Sequence, residues 1–175
     1  MKPTIYMGRD VSKRNVKRYS LEGKLFNYPI IHFATHGYFS DNLIPQAALV
    51  LSEYSGLIHE SREDGYLSIE DIALLQLNAR MVMLSVCETG LGQIKRDDRM
   101  SGLTRAFMTA GAQNVGVSLW QINDAATAEF MLGVYGKVIR EGKSFRDAYS
   151  EAKEEFRNSA RLSHPYYWAY FTLYE

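Results

Sequence analysis

The chain has 175 residues, of which 46% are hydrophobic and only four are proline, so it is long enough for one compact domain with a full core. Its 20 basic and 20 acidic residues cancel, and neither sign forms a long block, which excludes the basic surface typical of nucleic-acid binding. No apolar run approaches the roughly 20 residues needed to cross a bilayer. The single cysteine and the N-terminal MKPTIYMGRD, which lacks the apolar core of a signal peptide, favour a reducing cytoplasm.

Strand-like and helix-like segments alternate along the N-terminal half. The pattern predicts a short strand at Thr4–Met7, a helix over Ser12–Phe26 interrupted by Gly23, and strands at Ile30–Thr35 and Ala48–Ser52. Ser68 then precedes the helical spacing of IEDIALLQL, and Asp71 three residues later makes an acidic variant of a capping box.

The C-terminal half continues the same alternation. It contains predicted strands at Met81–Val86 and Val115–Trp120, helices from Ser101 to Gly111, over Ala125–Arg140 and over Ser144–Asn158, and a last strand in YWAYFTLY. Strands that are apolar throughout and separated by helices predict an α/β fold with a mainly parallel sheet covered on both faces. We therefore expect a single α/β domain over residues 1–175.

Chemistry-bearing residues follow three of the predicted strands. His36-Gly37 follows the first long strand, Cys87-Glu88-Thr89-Gly90 the third, and Gln121-Ile122-Asn123-Asp124 the fourth. In a parallel sheet, ligands bind outside the carboxyl ends of the strands. A histidine, a cysteine and an acid on one rim are the groups that a thiol hydrolase needs.

The residue types suit acyl transfer. A cysteine is nucleophilic as its thiolate, a form that a neighbouring imidazolium favours, so Cys87 is the candidate nucleophile. His36 would protonate the leaving amine and later activate the hydrolytic water. The glycines after both residues would let the backbone turn sharply, and the N–H groups of Gly37 and Cys87 would form an oxyanion hole.

Four motifs resemble, in order, those of CHAT domains, which are caspase-like modules related to separase, caspases and gingipains and often joined to tetratricopeptide repeats. These motifs are HFATHG, LSVCETGLG, GLTRAFMTAGAQNVGVSLWQINDAATAEFM and HPYYWAYFTL, and the resemblance extends from about Gly8 onward. It implies a caspase-like three-layer α/β/α sandwich and a Cys-His dyad, with the family histidine at His36 and the family cysteine at Cys87. The acid of the family's L-W-x-x-x-D motif falls on Asp124, which the resemblance makes the floor of a pocket for a basic residue before the cut bond (P1).

One departure from the family pattern bears on activity. CHAT domains usually carry an LPGT-like segment and an initial strand before these motifs, and nothing here matches them. Either the chain is the C-terminal part of a longer protein, or one edge of its sheet is missing or supplied by something else, and an exposed edge strand would invite pairing with another chain. We expect the first, with less than full activity for the isolated fragment.

Several residues have a structural interpretation beside the functional one. Cys87 taken alone is a packed small hydrophobe or a nucleophile, and its neighbours together with His36 favour the nucleophile. Asp124 is either the N-cap of the following helix or the specificity residue. His32 alternates within an apolar strand and is expected to be a hydrogen-bonded core or interface residue, and HFATH lacks the glutamate of a zinc helix. We expect neither a metal nor another cofactor.

Two functions follow from these residues. The first is a cysteine endopeptidase, a hydrolase that cleaves a protein or peptide substrate, with Arg or Lys as the expected P1 residue, under regulatory domains outside this chain. The alternative is a non-hydrolytic caspase-like module that docks a partner protein. The charged stretch Glu88–Met100 beside the nucleophile is expected to be a poorly ordered active-site loop.

Overall fold

The structure is a computed structural model that describes residues 3–39, 47–52, 65–89, 96–120 and 123–175, with the backbone alone at 38, 39, 86–89 and 96–100. Within these ranges, six strands form one sheet in the order β3-β2-β1-β4-β5-β6. The strands are β1 (Ile30–Phe39), β2 (Ala47–Val50), β3 (Tyr66–Ser68), β4 (Met81–Thr89), β5 (Val115–Ser118) and β6 (Phe171–Tyr174).

The centre of the sheet is parallel. Strand β4 lies between β1 and β5 and runs parallel to both. Strand β2 is antiparallel to both β1 and β3, so β3 points in the same direction as β1. Strand β6 is antiparallel to β5. The expected mainly parallel sheet is confirmed, because only β2 and β6 run in the opposite direction.

Helices cover both faces of the sheet. They are α1 (Lys13–Leu21), α2 (Ile69–Ala73), α3 (Arg96–Thr109), α4 (Asp124–Arg140), α5 (Phe145–Arg157) and α6 (Pro165–Trp168). None of the helices within the described ranges is long and apolar enough to cross a bilayer.

Strand β4 separates two hydrophobic cores. Val82 and Leu84 pack with α1, α2 and α3 on one face, whereas Met81 and Met83 pack with α4 and α5 on the other. Because side chains alternate along a strand, a strand buried on both faces is apolar at every position. The three-layer α/β/α architecture is therefore confirmed.

The polar, weakly amphipathic helix expected over Ser12–Phe26 ends at Leu21, just before the interruption expected at Gly23. Ser12 caps α1, its side chain accepting from the backbone N–H of Asn15. The chain then turns at Gly23, whose φ of 70° lies in the left-handed region that glycine adopts readily. The capping box at Ser68 and Asp71 is present at the start of α2 as predicted.

Two predicted strands were wrong in whole or in part. Thr4–Met7 forms no strand: Met7 is extended, with φ −141° and ψ 155°, but no strand of the described sheet pairs with this segment. The stretch YWAYFTLY splits into the end of α6 and strand β6, because Pro165 begins a helical turn that His164 caps.

The expected loop Glu88–Met100 was wrong at both ends. Strand β4 continues through Thr89, which pairs with Tyr38, and α3 already begins at Arg96. Pairing with β1 provides hydrogen bonds that extend the strand beyond its apolar run. The stretch 90–95 between them lies outside the described residues. The sharp turn expected at Gly37 was wrong for the same reason, since β1 continues to Phe39.

Substitution of Gly116 in β5 tests how tightly the sheet packs on α5. A Cβ there would lie 2.2 Å from Tyr149 Oη, 2.6 Å from Met81 Cε and 2.7 Å from Met83 Sδ. We expect Gly116→Ala to lower the free energy of unfolding by about 1–3 kcal/mol through overpacking. The measurement is urea denaturation followed by tryptophan fluorescence.

Gly133 in α4 provides the matched control. Its nearest atom to a new Cβ is 3.9 Å away, so Gly133→Ala should be neutral or should stabilise the helix by up to about 1 kcal/mol. Equal stability of Gly116→Ala and the wild type would show that this contact is not tight.

Candidate active site

The candidate dyad residues lie side by side on the two central strands. In the parallel register of β1 and β4, His36 pairs with Cys87 and Gly37 pairs with Glu88. Adjacent strands are about 4.8 Å apart, so the two dyad positions are direct neighbours across the ladder. His36 is exposed and Gly37 is buried.

The register also places both positions near an open part of the sheet. Strand β4 pairs with β5 only as far as Leu84, which lies beside Val117, and then continues to Thr89. The stretch Ser85–Thr89 therefore has β1 as its neighbour on one side and no paired strand on the other among the described residues.

A hydrogen-bonded cluster lies directly before the dyad on the same two strands. The His32 ring is held at Nε2 by Ser85 Oγ, 2.8 Å away, and at Nδ1 by Tyr135 Oη of α4, 3.1 Å away. The expected hydrogen bonding of His32 is confirmed. Because Ser85 is two residues before Cys87, and His32 is four before His36, this cluster joins β1, β4 and α4 immediately beneath the dyad positions.

The environment of this cluster favours uncharged side chains. The His32 ring retains contact with solvent, but the protein around it removes enough water that desolvation lowers the pKa of His32. Burial likewise raises the pKa of the Tyr135 phenol. A neutral imidazole donates from one nitrogen and accepts at the other, which suits its position between two hydroxyl groups.

Sequence reasoning missed Ser85 and Tyr135 as partners of His32. Ser85 is a polar residue inside an otherwise apolar strand, and a polar group in such a position needs a partner. That signal was available, but the partner itself was not, because Tyr135 is separated from His32 by 103 residues.

Asp124 lies at the first position of α4, after β5 and the stretch 121–122 outside the described residues. The N-cap is Asn123, whose side chain accepts from the backbone N–H of Ala126 at 2.8 Å. The interpretation of Asp124 as the N-cap was therefore wrong. Asp124 is exposed, and its carboxylate at the helix N-terminus is favoured by the helix dipole.

The fold and the register define the class of protein: a three-layer α/β sandwich with a histidine and a cysteine at adjacent positions of its two central strands. The CHAT domain family profile matches residues 2–175, and the chain belongs to this family.

Two curated relatives share part of the sequence. Tetratricopeptide repeat protein 28 of Mus musculus and that of Homo sapiens are each 36% identical to the chain over 107 residues, which is 61% of this chain. The match spans only 4% of either relative's length. The similarity therefore concerns one small part of a much longer protein.

The cluster around His32 has a measurable pH signature. A ring with a lowered folded pKa binds protons more weakly in the folded than in the unfolded state, where the value is about 6.5. Its contribution to stability is fully present above that value and is lost as the pH falls through the folded pKa. NMR titration should show the His32 ring titrating at lower pH in the folded protein than in urea.

The variant His32→Gln supplies the comparison. On acidification below about pH 6.5, its free energy of unfolding should fall less steeply than that of the wild type. A His32 ring that titrates at the same pH in folded and unfolded protein would contradict desolvation as the dominant influence.

Proposed function

We propose that the chain is a cysteine endopeptidase in which Cys87 is the nucleophile and His36 the general acid and base. The observation that carries the proposal is the pairing of His36 with Cys87 across the parallel β1–β4 ladder. A nucleophile and its base must lie within hydrogen-bond reach, or approach it when substrate binds. Membership of the CHAT domain family supports the same roles.

The proposed reaction follows from these two groups. The Cys87 thiolate attacks the scissile carbonyl carbon, and the C–N bond then breaks as the protonated His36 ring donates its proton to the leaving amine. A water molecule, deprotonated by His36, hydrolyses the resulting thioester and releases the acid product. Exposure of His36 gives both the amine and the water access to the ring.

The oxyanion would be stabilised by backbone N–H groups of Gly37 and Cys87. Gly37 and Cys87 lie on adjacent strands. Because Cys87 pairs with His36, and Gly37 follows His36, the two positions are one residue apart in the register. Gly37 is paired with Leu49 as well as with Glu88, so its N–H can serve an oxyanion only if the backbone there moves when substrate binds.

Asp124 is the proposed residue for P1 recognition. With Asn123 acting as the helix cap, the exposed Asp124 carboxylate is available to a ligand. A carboxylate there would pair with a guanidinium or ammonium group and repel an acidic side chain, so Arg and Lys should be preferred at P1.

The setting of the reaction also belongs to the proposal. The substrate is a protein or peptide in the cytoplasm, and tetratricopeptide repeats or other domains outside this chain regulate cleavage. Two relatives that bear tetratricopeptide repeats in their names support this association.

Substitution of either dyad residue tests the mechanism. We expect Cys87→Ala and His36→Ala each to lower kcat/KM for a basic peptide at least about a thousandfold, and the double variant to be no worse, because the two groups act as one unit. His164→Ala is the matched control, since His164 is an exposed histidine that caps α6 and lies outside the β1–β4 pairing. Circular dichroism verifies the fold of each variant.

If Cys87→Ala cleaved the peptide at the wild-type rate, the proposed dyad would be wrong. The folded wild-type chain can be tested in two ways, by peptide cleavage and by reaction with a thiol-directed peptide that carries a basic P1 residue. If both tests are negative, the alternative function is favoured. In that case the chain would be a non-hydrolytic module that docks a partner protein.

A separate substitution tests the P1 assignment. Asp124→Asn should lose most of the preference for Arg and Lys over neutral P1 residues, while Cys87 keeps its reaction with a small thiol reagent. Asn123→Ala is the control for the helix end, since it should cost about 1 kcal/mol of stability through loss of the cap but leave the preference unchanged. An unchanged preference in Asp124→Asn would remove Asp124 from the substrate pocket.

A further inference from the structure

Three large apolar side chains project into solvent where helices α1 and α2 end. Leu21 and Leu74 are each 78% exposed, and Phe26, in the turn that follows α1, is 52% exposed. The two helix ends are neighbours, because the backbone N–H of Gln76 donates to Ser20 Oγ at 2.7 Å. A single exposed apolar residue needs no explanation, but several in one place mark an interaction surface.

This apolar tip, defined as Leu21, Phe26 and Leu74, is a projection and not a hollow. None of the three side chains lines the cavity of about 1180 Å³ beside α1, although Tyr19 and Leu25 of the same segment do. Peptide ligands are received by grooves or by sheet edges, and the tip provides neither. The headgroup layer of a bilayer is soft, and apolar side chains that project from a surface can enter it.

Basic side chains surround the apolar tip. Residues 12–28 contain five basic residues and one acidic residue, whereas the whole chain has no net charge. Lys17, Arg18 and Lys24 are exposed. Clusters of basic residues beside apolar side chains are typical of proteins that bind anionic lipid surfaces.

The carboxylates beside these cations leave an excess of positive charge. Each of two carboxylates is shared by two basic side chains: Asp71 by Lys13 and Lys17, and Glu22 by Arg18 and Lys24. Two negative charges therefore face four positive ones in these ion pairs. We call the four basic residues the basic rim.

The apolar tip lies at the opposite end of the sheet from the candidate dyad. The turn after α1 leads into the start of β1 at Ile30, and the turn after α2 leads into the start of β4 at Met81. His36 and Cys87 lie near the other ends of the same two strands. A surface that contacts the tip therefore leaves the dyad positions facing away from it.

We propose that the apolar tip and the basic rim bind the surface of an anionic lipid bilayer. The three apolar side chains enter the headgroup region, and the basic side chains pair with lipid phosphates. The contact is peripheral and reversible, because few apolar side chains are buried and the charges are screened by salt. The dyad end of the sheet faces the aqueous side, and the inference does not depend on the proposed peptidase activity.

Vesicle sedimentation tests the proposal with the full chain. The vesicles consist of phosphatidylcholine alone or of phosphatidylcholine with about one third phosphatidylglycerol, which is anionic. We expect at least about tenfold stronger partitioning onto the anionic vesicles. Most of this preference should be lost when sodium chloride is raised from about 0.05 M to about 0.5 M, because salt screens exposed charges.

Substitutions of the apolar tip locate the contact. The double variant Leu21→Gln with Leu74→Gln should weaken partitioning onto anionic vesicles about tenfold, because two apolar side chains no longer enter the bilayer. Leu132→Gln is the control and should change it less than about twofold. Leu132 is also exposed, but it belongs to α4, which covers the other face of the sheet.

Substitutions of the basic rim test the charge. Arg18→Gln with Lys24→Gln should weaken partitioning onto anionic vesicles about fivefold and leave the weak binding to phosphatidylcholine unchanged. The control is Arg157→Gln with Arg161→Gln. Both arginines are exposed, but they lie at and after the end of α5, on the face opposite to α1.

Brominated lipids show which end of the molecule meets the bilayer, because bromine quenches tryptophan fluorescence only at short range. The wild-type tryptophans, Trp120 and Trp168, follow β5 and precede β6, at the dyad end of the sheet. We expect their fluorescence to be unchanged by anionic vesicles that contain brominated phosphatidylcholine. The added indole of Leu74→Trp should be quenched.

Three results would overturn the proposal: equal partitioning onto both kinds of vesicle, equal effects of the apolar-tip variant and of Leu132→Gln, or an unquenched indole in Leu74→Trp. A dimer that forms through the tip and excludes vesicles would also overturn it, since a second copy would then be the occupant. Cys87→Ala should bind vesicles as the wild type does, so failure of the tip and failure of the dyad are separate outcomes.

Discussion

The parallel pairing of β1 with β4 is the interaction on which both the fold and the candidate site depend. It runs from Ile30 beside Met81 to Tyr38 beside Thr89, the longest pairing in the described sheet. It also sets the register that makes His36 and Cys87 neighbours. In a sheet, a slip of one residue moves every side chain to the other face, so the same pairing that buries Val82 and Leu84 also determines which residues meet at the strand ends.

The cluster of His32, Ser85 and Tyr135 holds this register from the side. Its two hydrogen bonds connect β1 to β4 and to α4, and each hydroxyl group has a partner in a region where an unpaired polar group would be costly. The base of a dyad must be held in position by the groups around it. Thr35, next to His36, donates its hydroxyl to Val50 O of β2, and the His32 cluster adds contacts four residues earlier, so the proposed catalytic role of His36 depends on a β1 strand that does not shift.

Strand β1 has two different surroundings along its length. Its side towards β4 is paired from Ile30 to Tyr38, whereas its other side is paired with β2 from His36 onward among the described residues. The position of His36 is therefore held by a neighbouring strand on each side, opposite Val50 in β2 and opposite Cys87 in β4.

The sequence alone determined the features that depend on local chemistry. Apolar runs placed strands at Ile30–Thr35 and Met81–Val86, Ser68 and Asp71 predicted a capped helix, and four motifs identified the family. These signals are readable because strand alternation, helix periodicity and capping each involve residues a few positions apart.

The tertiary structure decided what depends on partners distant in the chain. Pairing with β1 extended β4 to Thr89, whereas Thr4–Met7 has the composition of a strand but forms none, because a strand exists only where another strand provides hydrogen bonds. The choice of Asn123 over Asp124 as the cap depended on where α4 begins once it packs on the sheet. The meeting of His32 with Tyr135, and of His36 with Cys87, likewise depended on packing and register, since local pattern specifies neither which elements become neighbours nor at which residue they align.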